Sequence, residues 1–135
     1  MFDPWWALLH GFQVALSVQN LLAVTVGVLV GTFTGVLPGI GPTGAMALLL
    51  PLSFGLDATT GIIMVAGVYY GAMYGGSTTS ILVNIPGEAA SVVTCIDGYQ
   101  MARNGRAGAA LTISAVGSFV AGTLGLVGLM LFAPP

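Results

Sequence analysis

The residues able to do chemistry are few, and they fall into two groups. Ser77, Thr78, Thr79 and Ser80 follow the Gly75-Gly76 pair, with Asn84, Pro86, Gly87 and Glu88 just beyond; Gly39, Gly41, Pro42, Thr43 and Gly44 form the other group. The first group carries hydroxyl, side-chain amide and carbonyl oxygens, which suit a hard cation such as sodium. The second carries main-chain donors. Pro42 fits the first turn of a helix, and the amides of Gly41, Thr43 and Gly44 then point unpaired from a positive dipole end, where a carboxylate binds well. Donors suit an anionic substrate and acceptors suit a cation, so the two groups divide naturally into substrate-binding and ion-binding roles.

Other chemistries lack the residues they need. A single His10 and a single Cys95 make neither a zinc set nor an internal disulfide, and a nucleophile would find no imidazole beside it. The expectation is therefore no cofactor, no metal beyond a transported cation, and no enzymatic activity. Gly39, Gly41 and Gly44 also spell GxGxxG. That fingerprint belongs to a strand–turn–helix unit with an acidic residue about twenty positions on, whereas Asp57 comes earlier and the surroundings are apolar.

Composition says where these groups reside. The chain is 56% hydrophobic and 4% charged, against roughly a quarter charged in a soluble domain, and its mean hydropathy is +1.02. Only Asp3, Asp57, Glu88, Asp97, Arg103 and Arg106 carry formal charge, so the lipid bilayer is the expected surroundings. Two arginines and a net charge of −2 leave no footprint for nucleic acid. The MFDPWW start has no basic region and does not read as a cleaved signal peptide.

The elements that must position the two groups follow from the spacing of glycine and proline. Asp3-Pro4 starts a short helix, and with Trp5 and Trp6 residues 1–15 read as an interfacial segment. Residues 16–95 read as spans with helix breaks. The first full span runs from about Leu21 to Leu37, near the ~20 residues a bilayer needs, and stacks Gly27, Gly31 and Gly35 on one face. A break at PGIGP follows, then a short apolar helix ended by Pro51.

A helix from about Thr59 carries a matching ladder at Gly67, Gly71 and Gly75. The run Gly67 to Ser91 is apolar enough for a membrane, yet the helix cost of Gly75-Gly76 and the Pro86-Gly87 pair predict that it is broken, with Gly76 to Pro86 re-entrant and carbonyls freed near Gly75. Such backbone is tolerated at membrane depth only where protein or a wet cavity meets it, commonly at a transport site. Residues 96–107, DGYQMARNGR and its flanks, read as a polar loop whose two arginines place it on the cytoplasmic face. Residues 108–132 read as the last span, with Gly117, Ala121 and Gly125 four apart. The fold class is thus all-α integral membrane, with transmembrane helices and broken or re-entrant helical segments in a single membrane domain.

Each singled-out residue has a plainer reading. Serine and threonine in a membrane helix bond back to the preceding turn, Asn84 can serve as a helix cap, Glu88 can answer the dipole after Pro86, and Tyr69, Tyr70 and Tyr74 can simply pack.

GTFTGVLPGIGPTGAMALLLPLSFGLD, followed by YYGAMYGGSTTSILVNIPGEAASVVTCIDGYQMARNGRAGAAL, resembles the tripartite tricarboxylate transporter family, and specifically the N-terminal portion of its large permease subunit. The resemblance implies one part of an inverted-repeat transporter in the bacterial inner membrane, crossing it several times. It further implies secondary uptake of a small carboxylate such as citrate, delivered by a periplasmic solute-binding protein and driven by a sodium or proton gradient, with a small membrane subunit alongside. A non-transporting scaffold or a pore is the other reading of these residues.

Overall fold

The computed structural model describes residues 4–132, and every regular element among them is helical. In order these are α1 (Pro4–Ala15), α2 (Val18–Gly35), α3 (Gly41–Ser53), α4 (Ala58–Val83), α5 (Val92–Met101) and α6 (Ala107–Phe132). A short 3₁₀ turn at Ala89–Ser91 leads into α5, and a five-residue turn, Ala102–Arg106, separates α5 from α6. Asp3 and the terminal prolines lie outside the described residues.

The two glycine ladders meet each other. A methyl group added to Gly27, Gly31 or Gly35 would overlap the carbonyl of Met64, Val68 or Ala72, and one added to Gly71 or Gly75 would overlap the carbonyl of Val28 or Thr32. Both sets of numbers rise together, so α2 and α4 run parallel with their backbones in contact. No side chain intervenes, which is how helices pack tightly where lipid supplies no hydrophobic drive. Helix α3 lies antiparallel beside them, its end near the start of α4, where Ser53 meets Gly61. Ala45 of α3 seals against Val68 and Ala72, with Met46 and Leu49 at the edge.

Helix α6 returns antiparallel along α4: Ala110 shares a cavity with Ile81, and Gly122 faces Tyr70. The large apolar side chains point outward instead, Phe33 being 76% and Phe119 75% exposed. Two stretches, Val18–Gly35 and one within Ala89–Phe132, are long and apolar enough to cross a membrane. The 26 residues of α4 rise ~39 Å at ~1.5 Å each. Together these features are consistent with an all-α membrane protein.

Polar residues fix the end of the bundle where α2 and α4 begin. Ser17 caps α2, its hydroxyl accepting the Asn20 amide at 3.4 Å, and Asp57 caps α4, accepting the Thr60 amide at 3.0 Å. The Thr60 amide and then its hydroxyl hold the Asp57 carboxyl below its ordinary range. Asn20, 4% exposed, donates to the Val14 carbonyl at 2.7 Å and accepts the Thr60 hydroxyl at 2.6 Å. This side chain therefore ties the end of α1 to the start of α4. Asn20→Ala removes both of these hydrogen bonds, while the Thr60 hydroxyl keeps the Asp57 carboxylate at 2.7 Å and the Val14 carbonyl keeps the Ser17 amide at 3.2 Å; at about 0.5–1.5 kcal/mol per bond the expected cost is about 1–3 kcal/mol. A thermal midpoint no lower than that of Thr123→Ala, whose exposed hydroxyl only bonds the Phe119 carbonyl at 2.8 Å, would refute it.

Three expectations are corrected. The helix does not break at Gly75-Gly76; α4 runs unbroken to Val83. Each glycine costs a helix only ~1 kcal/mol, whereas Gly75 lets α2 approach to backbone contact. Helix α3 continues through Pro51 to Ser53, because Pro51 stands in the last turn and removes only the one bond its amide would have given the Ala47 carbonyl. The polar stretch from Asp97 is the second half of α5, and only Ala102–Arg106 turns, using Gly105 at φ +75°.

Candidate functional site

The first break is made by glycine. After Gly35 the chain tightens, with Val36 and Leu37 amides bonding the Thr32 and Thr34 carbonyls at 3.1 Å each. It then needs left-handed backbone at Gly39, φ +94°, and at Gly41, φ +63°, conformations that side chains disfavour. Helix α3 starts at once with Pro42 in its first turn and no side chain capping it. Pro42 has no amide and Gly44 falls where an ordinary helix already pairs one, so the unpaired donors narrow to the Gly41 and Thr43 amides. Thr43 is exposed, while Pro42 is buried.

The second break lies beyond α4. Asn84 ends the helix in left-handed backbone, φ 59° and ψ 30°, the conformation that asparagine tolerates among non-glycine residues. The chain then doubles back, and Gly87 comes to rest on Gly76. A methyl group on Gly87 would overlap the Gly76 Cα and lie 3.2 Å from the Gly35 carbonyl oxygen. A methyl group on Gly41 would lie 3.9 Å from the Gly87 carbonyl oxygen. The two breaks, 46 residues apart at Gly41 and Gly87, therefore meet, at a point where α2 ends, α3 begins and α4 passes. On the far side the Glu88 amide donates to the Ser91 hydroxyl oxygen at 3.2 Å, and that hydroxyl donates to the Glu88 carbonyl at 2.9 Å.

The hydroxyl cluster behaves as the plainer reading expected. Ser77 donates to the Met73 carbonyl at 3.1 Å, Thr78 to Tyr74 at 2.9 Å, Thr79 to Gly76 at 2.9 Å and Ser80 to Gly76 at 2.8 Å. The carbonyls near Gly75 are thus not freed: helix geometry is kept, and Gly76 accepts two hydroxyls besides. Thr79 and Ser80 are buried. Ser77 instead lines a cavity of about 250 Å³ with Tyr69, Tyr70, Met73, Tyr74 and Ser118, away from Gly87. Asn84 and Pro86 are exposed, Glu88 is half-buried, and Gly39 is exposed with open space around it.

Of the residues singled out in the sequence, the structure gathers Gly41, Gly75, Gly76 and Gly87, and leaves Ser77, Asn84 and Gly39 apart. Gly35 is the addition. Its four-residue spacing marked it as helix packing only, and nothing in the sequence signalled that it would also border the second break.

The family model described as Tripartite tricarboxylate transporter TctA family matches residues 21–135. A protein of Agrobacterium vitis described as "Uncharacterized 52.8 kDa protein in TAR-I ttuC' 3'region" is 58% identical over 125 residues, 93% of this chain and 25% of its own length. The chain thus spans about a quarter of the curated relative it matches. No solved structure matches the chain.

Proposed function

Because the chain belongs to the Tripartite tricarboxylate transporter TctA family, a family of membrane permeases, we propose that its two meeting breaks form part of the path by which such a permease handles a small carboxylate and a coupling cation. The observation that carries this reading is the contact of Gly41 and Gly87, which brings unpaired helix-start amides beside a main-chain carbonyl at an irregular stretch of both connections. Helix-start amides favour a carboxylate, and carbonyl and hydroxyl oxygens favour sodium or a hydrated proton. In this proposal the Gly41 and Thr43 amides with the Thr43 hydroxyl receive the substrate. The Gly87 carbonyl and the lone pairs of Thr79 and Ser80 face the cation. A periplasmic binding protein delivers the carboxylate, a small membrane subunit accompanies the permease, and the assembly sits in the bacterial inner membrane.

Uptake of labelled citrate by vesicles carrying the intact permease and its partner proteins tests the division of roles. Thr43→Val should raise the citrate concentration for half-maximal uptake roughly tenfold, as expected for a lost hydrogen bond to a charged group. Ser80→Ala should raise the sodium or proton requirement and leave citrate affinity alone. If both variants move only the citrate dependence, or neither moves either while the protein remains folded, the assignment fails.

A further inference from the structure

The return of the chain from Asn84 to Gly87 has an unusual construction. Gly76 lies seven residues before the end of α4, so Gly87 sits ~10 Å back along the helix, a depth that Ile85–Gly87 covers in extended form. Both ends of this stretch are well defined, by the left-handed Asn84 and by the paired Glu88 and Ser91. Its middle is not. Among the described residues no backbone hydrogen bond joins Ile85 or Gly87 to α2, α3 or α4, and Pro86 has no amide to give. The turn before α4 is built differently, pinned by Phe54 to Pro51, Leu56 to Ser53 and Gly61 to Asp57.

Gly87 is buried, yet what touches it is the backbone of Gly76 and Gly35, and the seat has no room for a side chain. A main-chain amide and carbonyl held there without partners are costly in an apolar setting, and they regain partners when water or a ligand reaches them. Close contact alone favours the seated position, while hydrogen bonding favours leaving it.

We propose that Ile85–Gly87 is a movable strap that lifts from its glycine seat, hinged at Asn84 and at the Glu88–Ser91 turn, and so opens and closes the gap between the end of α2 and the start of α3. Its purpose rests on the transport reading above; its movement does not. Gly87 belongs at the seat because any side chain would hold the strap open. Gly76 is under a looser demand, since a methyl group there would meet the Gly87 Cα at 3.4 Å, an ordinary contact.

Spin-label distances in the intact protein in lipid nanodiscs test the strap, with Cys95→Ser as the background. One label pair joins Ile85→Cys on the strap to Phe33→Cys on α2, and a reference pair joins Phe33→Cys to Tyr70→Cys on α4; all three positions are exposed. The strap pair should show two populations displaced by up to ~10 Å, the reach of three extended residues. Gly87→Ala should collapse them to the displaced one, and Gly76→Ala should leave their ratio as it was. A single distance in the unaltered seat overturns the proposal, as does a reference pair that shifts with Gly87→Ala, because the seat would then be a folding contact. Loss of citrate uptake as a property of the protein, with the two populations present, would remove the transport reading and leave the strap.

Discussion

Gly71→Leu is expected to unfold the α2–α4 pair. Even the first carbon of a side chain at Gly71 overlaps the Val28 carbonyl and lies 2.8 Å from the Thr32 amide nitrogen, so backbone would have to give way rather than a flexible side chain. Overpacking a core commonly costs about 1–3 kcal/mol where side chains can shift. Here two helices must separate along their length, and the loss should exceed that range. Gly117→Leu and Gly125→Leu on α6 supply the contrast, because nothing lies within 4 Å of a methyl group at either position. Monodisperse yield and thermal midpoint of the purified protein measure the difference. Equal behaviour of Gly71→Leu and Gly125→Leu would mean that α2 and α4 are not in backbone contact.

Gly41→Val should abolish citrate uptake, or lower its efficiency more than tenfold, while Gly41→Asn should retain much of it. Space is not the obstacle at this position, where a methyl group would meet only the Gly87 carbonyl, at 3.9 Å. Conformation is: φ of +63° is strained for a β-branched residue and tolerated by asparagine. Valine would drag the start of α3 out of register with Gly87, whereas asparagine preserves the turn that aims the Gly41 and Thr43 amides. Uptake by the two variants at matched expression decides the matter. If asparagine is as damaging as valine, the Cβ itself is the problem and the left-handed turn is not what the site requires.

Much of this architecture was legible in the residues. The ladders at Gly27, Gly31, Gly35 and at Gly67, Gly71, Gly75 announced helix faces made for close approach, and the structure pairs them with each other. PGIGP announced the break before α3, because two glycines at positive φ leave few alternatives. What misled was Gly75-Gly76. Local propensity counts two glycines against a helix, but it cannot see that the backbone of α2 needs the first of them, while the second costs the long helix only ~1 kcal/mol. The hydroxyls at Ser77 to Ser80 were equally ambiguous: their chemistry suits a cation, and their own helix claims their protons first. The meeting of Gly41 with Gly87 was beyond reach, since nothing in either segment specifies how far the chain doubles back after Asn84.

The bond between Asn20 and Thr60 has a consequence for how this bundle finds one arrangement. A glycine ladder is periodic, so sliding α2 by four residues, ~6 Å along α4, would again set Gly27 and Gly31 against small or backbone surface, now at Val68 and Ala72. The ladder alone therefore has several near-degenerate alignments, like a ruler with identical marks. A single polar pair at one end removes that degeneracy, because every slipped alignment breaks the hydrogen bond between the Asn20 amide oxygen and the Thr60 hydroxyl. The meeting point of the two breaks, some four turns away at Gly35, inherits its placement from that zero mark.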